Sequence, residues 1–73
     1  MDKQSFLENL QDALQRDDAL TMDMRLKDVP EWDSLAMMVT LALAKRDFGK
    51  TLGLSALKKL QSVDDLYALL TAK

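Results

Sequence analysis

Residues 35 to 44 read LAMMVTLALA, apolar at every position except Thr40, in a chain of only 73 residues. A run of this length, opened by Asp33-Ser34 and closed by Phe48-Gly49, predicts a helix from Asp33 or Ser34 to about Phe48, with Gly49 as its stop. A helix apolar all round asks to be buried all round, yet a chain this small buries only about 60% of the surface its unfolded form exposes. One face is therefore left over. At 3.6 residues per turn, Met37, Leu41, Ala44 and Phe48 form one stripe, the expected inward one. Leu35, Met38, Val39 and Ala42 form the other, which runs on into Lys45 and Arg46. Two consecutive cations belong in water, so this second stripe is expected at the surface, an apolar patch with a basic rim suited to docking another protein.

The rest of the chain supplies partners for the buried face. From Lys3 to about Gln15, Phe6, Leu7, Leu10, Ala13 and Leu14 recur as the stripe of an amphipathic helix. Leu20, Met22, Met24 and Leu26 alternate with polar residues, the period of a strand, but no second alternating run is present to pair with them. Residues 16 to 33 are accordingly read as a long connection pinned by those side chains, with Pro30 barring a helix through it and Trp32 anchoring its end. A short third helix is expected over Ser55 to Leu60. Ser62-Val63-Asp64-Asp65 then resembles a capping box and opens a last helix whose inner face is Val63, Leu66, Tyr67 and Leu70. The expected fold is all-α: a small antiparallel four-helix bundle of three main helices and a short third one, with a long first loop, in a single domain over residues 1–73.

Composition narrows the chemistry. There is no cysteine and no histidine, which removes the thiolate nucleophile, the commonest general base and the N and S metal donors. Lysines and arginines number 10 against 12 acids, a net charge of −2, with no basic footprint for nucleic acid. No apolar run approaches the roughly 20 residues of a membrane span, and the first residues lack the apolar core of a signal peptide, so a free-standing cytoplasmic protein, by default a monomer, is the expectation.

Against that background the stretch Glu31-Trp32-Asp33-Ser34-Leu35 raises a question of its own. A serine ahead of an apolar helix is ordinarily its N-cap, and Asp33 is an alternative cap. The sharper reading makes Ser34 a site of covalent attachment. Four landmarks stand in register: Asp33-Ser34-Leu35 after a long loop, Phe48 fourteen residues beyond the serine, the apolar pair around Gly53, and residues 60–66, LQSVDDL. Together these make the chain resemble the acyl carrier proteins, the phosphopantetheine-dependent carrier family.

The resemblance implies that a phosphopantetheinyl transferase attaches 4′-phosphopantetheine from coenzyme A to Ser34, reading Asp33 in part through its magnesium ion. It further implies that the arm's thiol carries acyl or aminoacyl cargo as a thioester, loaded by a ligase and delivered to acyl-transferring enzymes through Leu35, Met38, Val39, Ala42, Lys45 and Arg46. A chain without cysteine or histidine suits such a role, because the cofactor brings the chemistry and the protein presents it. The second helix departs from the acidic helix typical of fatty acid synthesis carriers. Lys45 and Arg46 would meet like charge on partners that dock such helices, which points to a specialised biosynthetic pathway.

Two other classes bound the reading. An adaptor would use the same apolar patch for a partner helix, with Ser34 only a cap. An enzyme reading fails for want of a base near Ser34, Lys45 and Arg46 being about three turns away. As a cap, Ser34 would cost about 1 kcal/mol when replaced by alanine.

Overall fold

The computed structural model describes residues 2–72. Its elements are α1 (Lys3–Leu14), a single 3-10 turn (Leu26–Asp28), α2 (Ser34–Phe48), α3 (Leu54–Lys58) and α4 (Val63–Thr71). The class is all-α, with three main helices and one short one, and among the described residues the only β pairing is an isolated bridge.

The three main helices each start where a side chain satisfies an orphan amide, whereas short α3 starts at Gly53 with no side-chain cap. Asp2 accepts the Ser5 amide at 2.8 Å to open α1. Ser62 and Asp65 form the expected capping box at α4, the serine hydroxyl accepting the Asp65 amide at 3.1 Å and the carboxylate accepting the Ser62 amide at 3.3 Å. Gly49 ends α2 in the left-handed region at φ 66°, and its amide bonds back to the carbonyl of Lys45. Gln15 ends α1 in the same conformation at φ 55°, a position where glycine would be easier. The third helix begins one residue before the expected Ser55 and stops at Lys58, short of Leu60.

The core is built from one face of each helix. Phe6, Leu10 and Leu14 of α1 are buried with Leu57 of α3 and Val63, Leu66 and Leu70 of α4. Phe6 sits at the crossing point, its ring edge-on to Phe48 with centroids 6.3 Å apart and tilted against Tyr67 at 5.0 Å. Tyr67 is half-buried rather than fully inside, since its ring lies at the margin of the α1–α4 contact.

α2 packs against α1, α3 and α4, so its inward arc is wider than a single stripe and is displaced from the expected one. Ala36, Thr40, Leu43 and Ala44 are buried, whereas Met37, Leu41 and Phe48 are half-buried on one shoulder of that arc. The small residues explain the shift: two alanines and a threonine let neighbouring backbones approach α2 closely, and the bulkier side chains fill the flanks. Thr40 is completely buried and donates its hydroxyl to the Ala36 carbonyl at 2.8 Å, which satisfies the polar atom inside the core.

The loop is the long connection expected over residues 16 to 33, and it carries a backbone pairing that the sequence pattern does not show. The alternating segment does find a partner, in the connection between α3 and α4. Arg25 and Ser62 form an antiparallel bridge, the Leu26 amide donates to the Gln61 carbonyl at 2.9 Å, and the Val63 and Asp64 amides donate to the carbonyls of Met24 and Met22 at 3.0 and 2.9 Å. The loop thus takes up amides that the first turn of α4 cannot satisfy itself. Leu20, Leu26 and Val29 are buried beneath it, and Met22, Met24 and Trp32 pack against the core at its margin.

Candidate functional site

The head of α2 is held by its own cap and by the loop that leads to it. Asp33 has extended backbone, and its Oδ1 accepts the Ala36 amide at 2.9 Å. Asp33 is therefore the N-cap, and Ser34 is the first residue of the helix. That overturns the reading of Ser34 as the cap. The Ser34 side chain is exposed, and among the described residues its hydroxyl makes no hydrogen bond. The first turn of α2 contains no acid, and the Asp33 carboxylate immediately precedes the residue that carries that hydroxyl.

Behind Ser34, the loop is tied at both ends by one ion pair. Arg16 donates from Nη1 to Glu31 Oε1 at 2.8 Å and from Nε to the Asp18 carbonyl at 3.1 Å. Gln11 reaches over from α1 to the carbonyls of Arg16 and Asp17. The hydrogen bond from Arg16 holds the Glu31 carboxyl below the usual carboxylate range, and its own backbone amide adds to the effect. Arg16 and Glu31 carry no periodic signal, which is why the pattern of apolar residues does not reveal this tie.

Along α2 the predicted surface stripe is mostly where it was expected. Leu35 is 69% exposed and Met38 61%, large values for side chains of their size. Ala42 and Lys45 are also exposed, while Val39 is half-buried, turned toward α1. Arg46 is exposed but not free. Its Nε and Nη2 donate to the two carboxylate oxygens of Asp47 at 2.8 and 3.0 Å, and Asp47 also receives Asn9 Nδ2 from α1 at 3.5 Å. The paired guanidinium lowers the Asp47 carboxyl pKa, and the carboxylate raises that of Arg46. The basic rim is thus Lys45, which has no ion-pair partner among the described residues, beside a neutralised Arg46–Asp47 pair.

Val39 lines two hollows between α1 and α2. One, of about 280 Å³, opens beside Asp33 and Leu35, and the other, of about 460 Å³, runs on to Asn9 and Arg46. The pairing of Gln15 with the head of α2 and of Asn9 with its tail shows that α1 and α2 run antiparallel. No helix is long and apolar enough to cross a membrane, and among the described residues no group of three acids gathers as a metal site would require.

Comparison with protein-family models, curated proteins and solved structures finds no match to this chain.

Proposed function

We propose that this protein is an acyl or aminoacyl carrier, folded as an antiparallel four-helix bundle of the carrier type and modified on Ser34 with 4′-phosphopantetheine. The observation that carries the reading is the division of labour at the head of α2. Asp33 does the capping, which leaves an exposed hydroxyl with no partner at the first helical position. The residues fit the group: the hydroxyl is accessible, and the helix end favours the anionic phosphodiester that would follow from its modification.

Ser34 is a nucleophile only with help. No histidine exists to activate it, so the base belongs to the modifying enzyme. The Ser34 Oγ–phosphorus bond forms as the phosphoanhydride bond of coenzyme A breaks, 3′,5′-ADP leaves, and the hydroxyl proton passes to that base. Asp33 keeps α2 wound up to its first residue and offers its second carboxylate oxygen to the transferase's magnesium ion. The bound arm supplies a thiol that holds the cargo as a thioester. Leu35 and Met38, with Ala42, Val39 and Lys45 behind them, supply a small apolar contact for partner enzymes, weak enough for release between steps. Arg46 contributes the stem of its side chain, its charge being matched by Asp47.

The test is intact mass after incubation with coenzyme A, magnesium and a broad-specificity phosphopantetheinyl transferase. Gain of one phosphopantetheine in the parent and none in Ser34→Ala is the expected result. No gain, under conditions that modify a control carrier, overturns the reading and leaves the exposed Leu35 and Met38 to a helical adaptor.

A further inference from the structure

We propose that the junction of the first loop with the α3–α4 connection is a second docking surface, which takes acidic side chains from a protein partner. The inference goes beyond the carrier reading and uses none of the residues of that site. Arg25 and Lys27 line a hollow of about 300 Å³ together with Leu60 and Gln61. Between the two cations Leu26 is buried, and its amide donates to the Gln61 carbonyl at 2.9 Å, so the two walls of the hollow are tied to each other through backbone. Arg25 itself pairs with Ser62 in the antiparallel bridge. The backbone that carries these cations is thus set before anything binds.

The hollow stays positive because neighbouring acids are engaged elsewhere. Asp65 Oδ2 accepts the amides of Gln61 and Ser62 at 3.2 and 3.3 Å, and Asp23 Oδ1 accepts the Thr21 hydroxyl at 2.6 Å. Arg25 and Lys27 have no ion-pair partner among the described residues, and neither have Lys58 and Lys59, both exposed, which directly precede Leu60. With consecutive Cα atoms about 3.8 Å apart, those two lysines extend the positive charge along the chain from the hollow. Uncommitted cations therefore gather at one place in a chain whose net charge is −2.

The chemistry of the lining selects the occupant. Arg25 offers a planar fork that matches a carboxylate, and Lys27 a point charge beside it. The exposed side-chain amide of Gln61 has no hydrogen bond among the described residues and adds a donor, while half-buried Leu60 gives the methylenes of a glutamate an apolar floor. Exposed cations hold a lone small anion weakly, since water screens each contact; several acids on one protein surface engage the group together and are steered to it. A long polyanion meets the rim. Asp23 and Asp28 line the neighbouring hollow that shares Arg25, and Asp64 is exposed beyond Ser62. Nucleic acid or an anionic bilayer, negative across the whole contact, is repelled by those carboxylates, whereas a compact acidic patch avoids them.

The experiment follows backbone amides by NMR while the unmodified protein is titrated with capped hexaglutamate, hexaglutamine, hexathymidylate and vesicles containing phosphatidylserine. The expected result is that hexaglutamate moves the amides of Arg25, Lys27 and Gln61 about threefold more than hexaglutamine does, an excess lost in about 1 M salt, where the screening length falls to about 3 Å. Lys27→Gln should remove most of that excess, and Lys58→Gln with Lys59→Gln, which leaves the bridge untouched, should reduce it by about half. Equal shifts from the two peptides, shifts larger at Lys3 or Lys45 than at the hollow, or an excess unchanged in both variants overturns the docking surface. Hexathymidylate or vesicles moving the same amides further than hexaglutamate overturns the choice of a protein partner.

Discussion

Asp33 accepts the Ala36 amide at 2.9 Å through Oδ1, and this one bond separates the roles of two adjacent residues. Asp33 starts the helix, and Ser34 is carried on it with its hydroxyl uncommitted. Were Ser34 the cap, its hydroxyl would be engaged with a backbone amide, and modifying it would weaken the helix that presents it.

The division can be read as stability. Asp33→Ala should cost about 1 kcal/mol, a fall in Tm of about 4–8 °C for a domain of this size. Ser34→Ala should stay within about 0.5 kcal/mol of the parent, as for an ordinary surface change. Thermal unfolding of the two variants checks both. A Ser34→Ala loss as large as that of Asp33→Ala would mean that the hydroxyl caps in solution.

On the exposed stripe, Met38→Glu should change Tm little, because a side chain already 61% exposed gives up little burial. Leu43→Ala, one and a half turns further and only 2% exposed, should cost about 2–5 kcal/mol by removing a core side chain and leaving a cavity. Paired melting curves would separate the two faces of α2. On the proposed carrier function, cargo transfer to a partner enzyme should fall sharply in Met38→Glu, and undiminished transfer would remove Met38 from the proposed docking surface.

The Arg16–Glu31 pair predicts a pH dependence local to the loop. Glu31 has its carboxyl pKa lowered in the folded protein, so its contribution is fully present above the unfolded value and is lost as pH falls through the lowered folded one. Carboxyl carbon shifts followed by NMR should place the Glu31 midpoint below the usual glutamate range, and Arg16→Gln should raise it toward that range, the backbone amide of Glu31 keeping part of the lowering. Trp32, adjacent to Glu31 and packed at the core margin, should report loosening of the loop by fluorescence over the same low-pH interval. The pair is partly exposed, so the effect should weaken with added salt.

How far these features can be read without coordinates depends on the range of the signal. Helical stripes are local, and Phe6, Leu10, Val63 and Leu70 are where their spacing puts them. The cap of α4 is legible for the same reason, its serine and acid being three residues apart. On α2 the spacing fails to fix the inward direction, because residues apolar on all sides offer no contrast, and the packing of α1, α3 and α4 around it buries Ala36 and Ala44 instead. At the site, the exposure of Leu35 and Met38 is legible from the cations that follow them. The Asn9–Asp47 contact and the Arg16–Glu31 tie join residues distant in the chain through polar side chains, and no periodicity records such pairs.

The alternation of Leu20, Met22, Met24 and Leu26 has its origin in the backbone that lies beside it, and hydrogen exchange should make that visible. The first amides of a helix have no intrahelical acceptor and ordinarily exchange quickly. In α4, however, the Val63 and Asp64 amides donate to Met24 and Met22 of the loop, and the Leu26 amide donates to Gln61 in return. All three should exchange slowly, with protection close to that of the α4 interior and well above that of Leu35 in the first turn of α2, for which no such acceptor is found among the described residues. Protection should fall at Leu26, Val63 and Asp64 together when Leu26→Ala loosens the buried side chain that seats the loop. Fast exchange at Val63 and Asp64 in the parent would mean that the loop is not stitched to α4 in solution. The head of α2 would then lose the support that runs from this bridge through Val29 and Trp32 to Asp33.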